Sequence, residues 1–124
     1  MAGRPIDRRK LGSLQEQRAL RYLGGHGLSL VQSNFNCRVG EIDLIMRDQR
    51  GYVVFVEVRY RKSDRYGSAL ETVGPAKQRK LRLAAAWFLK SRNWQHKSCR
   101  FDVVAITGGG PAGEDRLEWV RDAF

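Results

Sequence analysis

Two short segments of this sequence carry carboxylates at the spacing of β-strands. In the first, Glu41 and Asp43 alternate with apolar residues, and in the second, Glu57 follows an apolar run. Because successive side chains of a strand point to opposite faces, each segment has one apolar face and one face that turns polar toward the same end. The two segments therefore predict a pair of strands that bring acidic groups together.

The turn between these segments sets their register. A three-residue loop at 49–51, with its glycine in the left-handed position, is a common hairpin form. Counting back from this loop places Asp43 opposite Glu57, and by the same count Glu41 faces Arg59. Directly opposed side chains have Cβ atoms about 4.5–5.5 Å apart, a separation at which two carboxylates repel each other.

The repulsion between Asp43 and Glu57 calls for a neutralising group, for which the candidates are a proton, a basic side chain or a divalent cation, and two interpretations of the cluster stay open. The first is a divalent cation, because Mg²⁺ takes oxygen ligands, often one or two carboxylates with waters and substrate phosphates. Such an ion can position and deprotonate water, and can stabilise charge on a phosphate oxygen. The second is a surface ion-pair cluster made of these two acids with Glu41 and Arg59.

The charge of the chain favours a polyanionic partner. Its 124 residues include 23 Lys and Arg against 13 Asp and Glu, a formal net charge of +10. DNA, RNA and anionic membrane surfaces attract such a protein. We expect no membrane partner, since no run approaches the roughly 18 apolar residues of a spanning helix. The basic start lacks the apolar region of a secretory signal, and Cys37 and Cys99 form no CxxC motif, so we expect reduced thiols and a cytoplasmic location.

The length suits one domain, and the periodicity predicts an α/β fold in which helices pack on a mixed sheet. We expect a basic arm over residues 1–12 and a single domain over residues 13–124. The predicted helices are 14–23 and 75–91, the predicted strands are 29–33, 41–46, 52–60 and 101–107, and residues 117–124 close the fold as a strand or helix.

The predicted second helix begins with a basic run that includes Lys77 and Arg79. Cations at a helix N-terminus oppose the helix dipole, an arrangement that becomes favourable when a phosphate lies there. We interpret the run as a phosphate site, and the alternative is a solvated basic face over an apolar side. Trp87, Phe88 and Trp94 are expected in the core.

The paired acidic blocks, GEIDLI at 40–45 and VFVEVR at 54–59, resemble the YraN family of uncharacterised bacterial proteins. The likeness covers most of the chain and includes Glu16, Asn34, Arg38, Lys77, Gln78 and the stretch RFDVV at 100–104. That family is similar to PD-(D/E)XK nucleases and to archaeal Holliday-junction resolvases. The resemblance implies a restriction-endonuclease-like core, with a central mixed β-sheet flanked by helices, an acid on one strand and E-x-K on the next.

The resemblance also implies roles for individual residues. In such nucleases two acids hold Mg²⁺ or Mn²⁺, and a lysine helps to orient or activate water. Asp43 matches the first acid and Glu57 the second, while Glu16 matches a helical acid seen in some members. Glu16 has a structural alternative, because SLQE at 13–16 has the form of a capping box with Ser13 as N-cap.

Position 59 departs from the nuclease pattern, because Arg59 stands where lysine is expected. An arginine can bind a phosphate or hold a carboxylate, but it does not readily accept a proton, since its pKa exceeds about 12. We therefore expect Arg59 to anchor the scissile phosphate or to clamp Glu41. Lys62 lies on the other side of the strand and is a poor substitute.

The sequence thus predicts a nucleic-acid-binding protein with three alternative functions. The first is a Mg²⁺- or Mn²⁺-dependent nuclease that hydrolyses phosphodiesters in DNA. The second is a catalytically inactive nucleic-acid-binding module, and the third is an adaptor that meets an acidic protein. The expected catalytic residues are Asp43, Glu57, Arg59 and Glu16, and the expected nucleic-acid contacts are Arg38, Arg61, Lys62, Lys77, Gln78 and Arg79. The oligomeric state stays open, with a homodimer as one alternative.

Overall fold

The secondary structure follows the predicted α/β order, and the closing element is a strand. The computed structural model describes residues 8–63 and 73–124, so residues 1–7 of the predicted basic arm lie outside the described part. The elements are α1 (Arg8–Gly25), β1 (Ser29–Cys37), β2 (Gly40–Arg47), β3 (Val53–Arg61), α2 (Pro75–Ser91), β4 (Cys99–Thr107) and β5 (Arg116–Val120).

The five strands form one mixed sheet in the order β1-β2-β3-β4-β5. Strands β3 and β4 are parallel, and the other neighbouring pairs are antiparallel. Parallel neighbours need a crossover connection, and α2 lies within the connection between β3 and β4. The predicted mixed sheet is therefore confirmed.

Each face of the sheet packs on one helix. On one face, Ala19 and Leu23 of α1 pack with sheet residues that include Val54. On the other face, Phe88 of α2 packs with Phe55 and its neighbours. Burial of β3 from both sides accounts for its continuous apolar run. This three-layer arrangement agrees with the expected restriction-endonuclease-like core of a central mixed sheet flanked by helices.

The hairpin between β2 and β3 has the predicted loop and register. Gly51 in the loop has the expected left-handed conformation, with a φ of 86°. The ladder between the strands ends with Leu44 opposite Val56. Continued by one position, the same register sets Asp43 against Glu57, as the turn count predicts.

Strict alternation along β2 fails at Asp43, and that part of the prediction is wrong. Ile42 packs in the α2-side cluster together with Ile45, whereas Leu44 packs on the α1 side. The expected common face of Ile42, Leu44 and Met46 therefore does not form. The physical reason is that the ladder to β3 ends at Leu44, beyond which the described pairs of β2 are with β1.

Helix α1 begins at Arg8, earlier than predicted, so the capping-box interpretation is wrong. Ser13 lies inside the helix and cannot act as its N-cap. The preceding Arg, Lys and Leu residues favour helix, and Gly12 costs only about 1 kcal/mol relative to alanine. Within residues 8–63 and 73–124, none of the helices has the length and apolar character needed to cross a membrane.

The aromatic residues of α2 and its end divide between core and surface. Phe88 is fully buried and Trp94 packs beside it, as expected. Trp87 is 53% exposed, so its placement in the core is wrong. It occupies the side of α2 opposite the sheet, a position that the apolar content of the helix alone does not reveal. Cys37 and Cys99 are free thiols, as expected.

Candidate active site

A cleft of about 270 Å³ lies at the end of the sheet where β2 begins and β3 ends. It is bounded by side chains from both helices as well as from these two strands, so four elements contribute to one site. All four predicted catalytic residues line it. The lining residues are Gln15, Glu16, Glu41, Asp43, Glu57, Val58, Arg59, Tyr60 and Lys77.

Asp43 is the acid contributed by β2. Its Oδ2 accepts the backbone N–H of Val58 at 2.8 Å. Burial raises the pKa of Asp43 to about 8, assisted by a hydrogen bond to Glu57 and by the negative charge of Glu57. The Val58 N–H and the charge of Lys77 act in the opposite direction. Asp43 therefore keeps its proton to a higher pH than an ordinary aspartate, and that proton relieves its repulsion with Glu57.

Glu57 is the acid contributed by β3, and it is only 4% exposed. Arg59 Nη2 and Lys77 Nζ both lie 3.2 Å from its Oε2. Neither contact has the geometry of a hydrogen bond, and within the described residues Oε2 has no hydrogen-bond partner. Buried polar atoms are usually paired, so this oxygen is an acceptor available to a further group.

Arg59 has an unpaired donor at the same place. Its Nε is buried, and no acceptor among the described residues bonds to it. Arg59 was expected to anchor a phosphate or to clamp Glu41, but the ion pair that its guanidinium forms is with Glu57. An open donor beside an open acceptor is the arrangement that a cation with a phosphate oxygen would complete.

Glu16 reaches the cleft from α1. Burial raises the pKa of Glu16 to about 7, and the charges of Asp43 and Glu41 add to the effect. A hydrogen bond from the side chain of Asn34 acts in the opposite direction. Asn34 has a left-handed φ of 53°, a conformation that asparagine tolerates better than most residues. Its contact with Glu16 was not predicted, although the residue belongs to the family resemblance.

The predicted nucleic-acid contacts separate into one residue inside the cleft and five outside it. Lys77 lines the cleft and contacts Glu57. The side-chain amide of Gln78 donates to the carbonyl of Val73 at 3.1 Å and so links the first turn of α2 to the residue just before it. The remaining residues lie outside the cleft, with Arg61 half-buried and with Arg38, Lys62 and Arg79 exposed.

The donor set fits a cation that the substrate helps to coordinate. Within the described residues, no group of three or more His, Cys, Asp or Glu side chains is arranged to hold a metal ion. Mg²⁺ does not require such a cage, because one or two carboxylates with waters and phosphates often suffice. Asp43 and Glu57 supply two carboxylates whose mutual repulsion a dication would relieve. The cleft is therefore suited to an open magnesium-type site rather than to a closed structural one.

The position of Lys77 is the main feature of the cleft that the sequence did not reveal. The basic run of α2 suggested a phosphate contact for this residue, yet its ammonium group lies against Glu57. The sequence feature that could have indicated this position is the place of Lys77 in the first turn of the helix that follows β3. How that helix crosses the sheet decides which carboxylate the lysine meets.

Comparison with known proteins gives a consistent family assignment. Residues 15–106 match the model of a family described as Uncharacterised protein family UPF0102. A UPF0102 protein of Nitrosococcus oceani is 48% identical over 122 residues, which cover 98% of this chain and 96% of the relative. A UPF0102 protein of Ralstonia nicotianae is 50% identical over 116 residues, covering 91% of this chain and 85% of the relative. One from Pseudomonas fluorescens is 52% identical over 110 residues, covering 88% of each chain.

Proposed function

This chain belongs to the Uncharacterised protein family UPF0102, as its resemblance to YraN indicated, and we propose that its acidic cleft hydrolyses phosphodiesters of DNA with Mg²⁺ or Mn²⁺. The family description names no activity, so the proposal depends on the geometry of the cleft. The observation that carries it is the convergence of Asp43, Glu57 and Glu16 beside two cationic side chains. Two strand acids, a helical acid and adjacent cations form the set that metal-assisted phosphodiester hydrolysis uses.

Asp43 and Glu57 would hold the cation. When bound, the ion supplies positive charge to the scissile phosphate and lowers the pKa of a water molecule. The raised pKa of Asp43 supports this assignment, because a carboxyl group that keeps its proton for lack of a cation is one that a cation would ionise. The Oε2 of Glu57 also supports it, because this buried oxygen lacks a hydrogen-bond partner among the described residues although two cationic side chains lie 3.2 Å away.

Lys77 takes the role that the nuclease pattern gives to the lysine of E-x-K. Its Nζ lies 3.2 Å from Glu57 Oε2, so an amine is present at the second acid although position 59 is arginine. An ammonium group is a compact donor that can orient a water molecule. In this assignment the lysine comes from α2 instead of β3.

In this assignment Arg59 binds the substrate phosphate. Its guanidinium contacts Glu57 through Nη2, while its buried Nε keeps an unused N–H. The planar fork of arginine matches a phosphate group, and its high pKa makes it a stable cation and a poor base. In this assignment Lys77 orients the water molecule and Arg59 binds the phosphate, whereas the nuclease pattern has a single lysine at this place.

Glu16 is suited to proton transfer. In the absence of a bound cation, burial raises its pKa to about 7, close to the range in which a side chain can both accept and donate a proton. It lines the same cleft as the two strand acids. We assign it to the proton that the attacking water loses or the leaving oxygen gains.

DNA is favoured as the substrate class by charge. The formal net charge is +10, and most of the predicted contacts that lie outside the cleft are exposed cations. Such groups neutralise backbone phosphates without reading sequence. Branched and single-stranded DNA belong in the substrate panel together with duplex DNA, because the family resemblance includes junction resolvases.

A second candidate is a nucleic-acid-binding module without turnover. It is favoured by the two cations against Glu57, since Arg59 and Lys77 partly neutralise the carboxylate that a metal ion would need. Arg59 in place of lysine favours it as well. Intact acids at both strand positions favour the nuclease, which we therefore place first.

Cleavage of a sequence-neutral DNA panel with Mn²⁺ tests the proposal. We expect metal-dependent cleavage by the wild type, a loss of about 100-fold or more in Asp43→Asn, and wild-type activity in the exposed control Glu118→Gln. An inert wild type that still binds Mn²⁺ and DNA would favour the binding module. A DNA affinity that does not fall with salt would favour the adaptor, because each neutralised phosphate contributes about 0.9 to the log–log slope.

A further inference from the structure

A second open pocket, of about 300 Å³, lies at the opposite end of β2 and β3 from the acidic cleft. Its walls come from the turn after α1, the β2–β3 turn, the start of β4 and the end of β5. Asp43 and Asp48 are five positions apart along the chain at roughly 3.3 Å per residue, so the two sites are separated by about 17 Å. The pocket is therefore distinct from the proposed nuclease site.

Asp48 fixes the turn that forms one wall of this pocket. Its Oδ1 accepts the backbone N–H groups of Arg50 and Tyr52, each at 2.9 Å. Its Oδ2 accepts Arg100 Nη1 at 3.0 Å, and the same guanidinium binds Asp102 at 3.1 Å. The turn is thus held in one conformation, and the nearby carboxylates are already occupied by Arg100.

The side chains that line the pocket carry a net positive charge, and two of their guanidinium groups have no carboxylate partner among the described residues. Three arginines, at positions 50, 100 and 121, stand against the carboxylates of Asp48 and Asp102, both of which pair with Arg100, a formal balance of +1. Arg50 and Arg121 have no carboxylate within 4.0 Å among the described residues. Two unpaired guanidinium groups at one opening attract an anion, and their geometry suits a phosphate.

Flat rings lie beside these cations. The guanidinium of Arg121 lies 4.0 Å from the centroid of the Trp119 ring. The indole N–H of Trp119 donates to Asp102 at 3.0 Å, which fixes the plane of the ring. Tyr52, at 37% exposure, and His26 also line the pocket. Aromatic and guanidinium planes are surfaces on which nucleobases stack.

We propose that this pocket binds a nucleoside phosphate, with the phosphate between Arg50 and Arg121 and the base against the exposed ring of Tyr52. A volume of about 300 Å³ is at the lower end of small-molecule sites, which span about 300–1,000 Å³, and it suits one nucleotide and not a duplex. A free mononucleotide and the terminal nucleotide of a DNA strand carry the same chemistry. The inference is independent of catalysis at the acidic cleft.

The test is a titration of the full chain with AMP in EDTA, so that no divalent cation can recruit phosphate to the acidic cleft. Calorimetry and tryptophan fluorescence report binding, and Trp119→Phe identifies which indole responds. We expect saturable binding of AMP at one site, with adenosine and inorganic phosphate each about tenfold weaker or more. Arg50→Ala and Arg121→Ala should each weaken AMP about tenfold. The matched control is Lys90→Ala, which removes the same charge from the exposed face of α2.

Competition separates the two sources of the ligand. If a single-stranded oligonucleotide with a terminal phosphate displaces AMP, the pocket holds a strand end. If AMP binds and the oligonucleotide does not compete, the pocket holds the free nucleotide. Both arginine side chains are exposed, and unchanged melting temperatures would verify that the variants are folded. The proposal is overturned by absence of saturation at millimolar AMP, by equal affinity for phosphate alone, or by AMP binding that survives both arginine substitutions.

Discussion

The carboxylate of Asp43 accepts the backbone N–H of Val58 at 2.8 Å, in a position where a backbone carbonyl would be expected. If the regular ladder of this hairpin continued past the pair Leu44 and Val56, the backbone N–H of Val58 would donate to the carbonyl of Ile42. The side chain therefore replaces one rung of the ladder. The two strands separate without leaving the N–H unpaired, and the acidic cleft opens between them.

The first prediction concerns stability and pH in the absence of metal. The pKa of Asp43 is raised from 3.8 to about 8, and that of Glu16 from 4.5 to about 7. A group whose pKa is raised by folding contributes stability at pH values below its unfolded pKa, and this contribution is lost as the pH rises through the folded pKa. The free energy of unfolding in urea should therefore fall between about pH 4 and pH 8.

Substitution of Asp43 by asparagine should flatten that pH dependence. Asparagine keeps an oxygen for the Val58 N–H and cannot ionise, so the unfolding free energy at pH 8 should rise by about 1–3 kcal/mol. Glu118→Gln, at an exposed position of β5, should retain the wild-type profile. Identical profiles for Asp43→Asn and the wild type would contradict the burial and pairing of this carboxyl group.

The second prediction concerns the metal ion. Mn²⁺ should bind the wild type weakly by calorimetry and should bind Asp43→Asn about tenfold less tightly or worse, because one of two carboxylate ligands is lost. Mn²⁺ should also restore part of the stability that the wild type loses at pH 8, since it binds the folded state alone. Unchanged Mn²⁺ affinity in Asp43→Asn would remove this residue from the ligand set.

The third prediction separates Lys77 from Arg79 on the same helix. Lys77→Ala should lower the cleavage rate at saturating DNA about 100-fold, because Lys77 lies at Glu57. Arg79→Ala removes the same charge from an exposed position and should weaken DNA binding with little change in the saturated rate. Lys77→Arg keeps the charge and should restore binding more than turnover. Equal rates for Lys77→Ala and Arg79→Ala at saturation would contradict a role for Lys77 in water orientation.

The fourth prediction concerns Arg59. Arg59→Ala should weaken DNA binding and cleavage together, because a phosphate contact is lost in both the ground state and the transition state. Arg59→Lys restores the E-x-K pattern and should keep or raise the activity on the same DNA panel with Mn²⁺. Wild-type cleavage by Arg59→Ala would leave its ion pair with Glu57 as a structural contact only.

Local turn chemistry made the core of the acidic site predictable. The loop with Gly51 fixed the register of β2 and β3, and that register, continued one position past the last ladder pair, sets Asp43 against Glu57. The range of α2 was predicted correctly from Pro75 and the apolar spacing that follows it. These features depend on neighbours within a few residues, so the sequence contains the information directly.

Two of the features that were missed depend on contacts between distant segments, and a third is local. The change of face at Ile42 occurs where the ladder to β3 ends and the Asp43 side chain takes the place of a backbone acceptor, which no hydrophobic period encodes. The contact of Lys77 with Glu57 depends on how α2 lies across the sheet. The early start of α1 shows a third cause, since favourable helix propensity carried the helix through Gly12.

The two oxygens of Asp48 have consequences for the order of folding. One oxygen accepts amides two and four positions away, while the other meets Arg100 across 52 positions. A hairpin forms in about 1–10 μs, so the local pair of contacts is available early. The contact with Arg100 has to wait for α2 and the parallel strand β4, whose distant pairing is slow. Asp48 thus stabilises the hairpin first, and its contact with Arg100 adds stability once β4 has paired. The late pairing of β4 therefore takes place beside a turn that is already ordered.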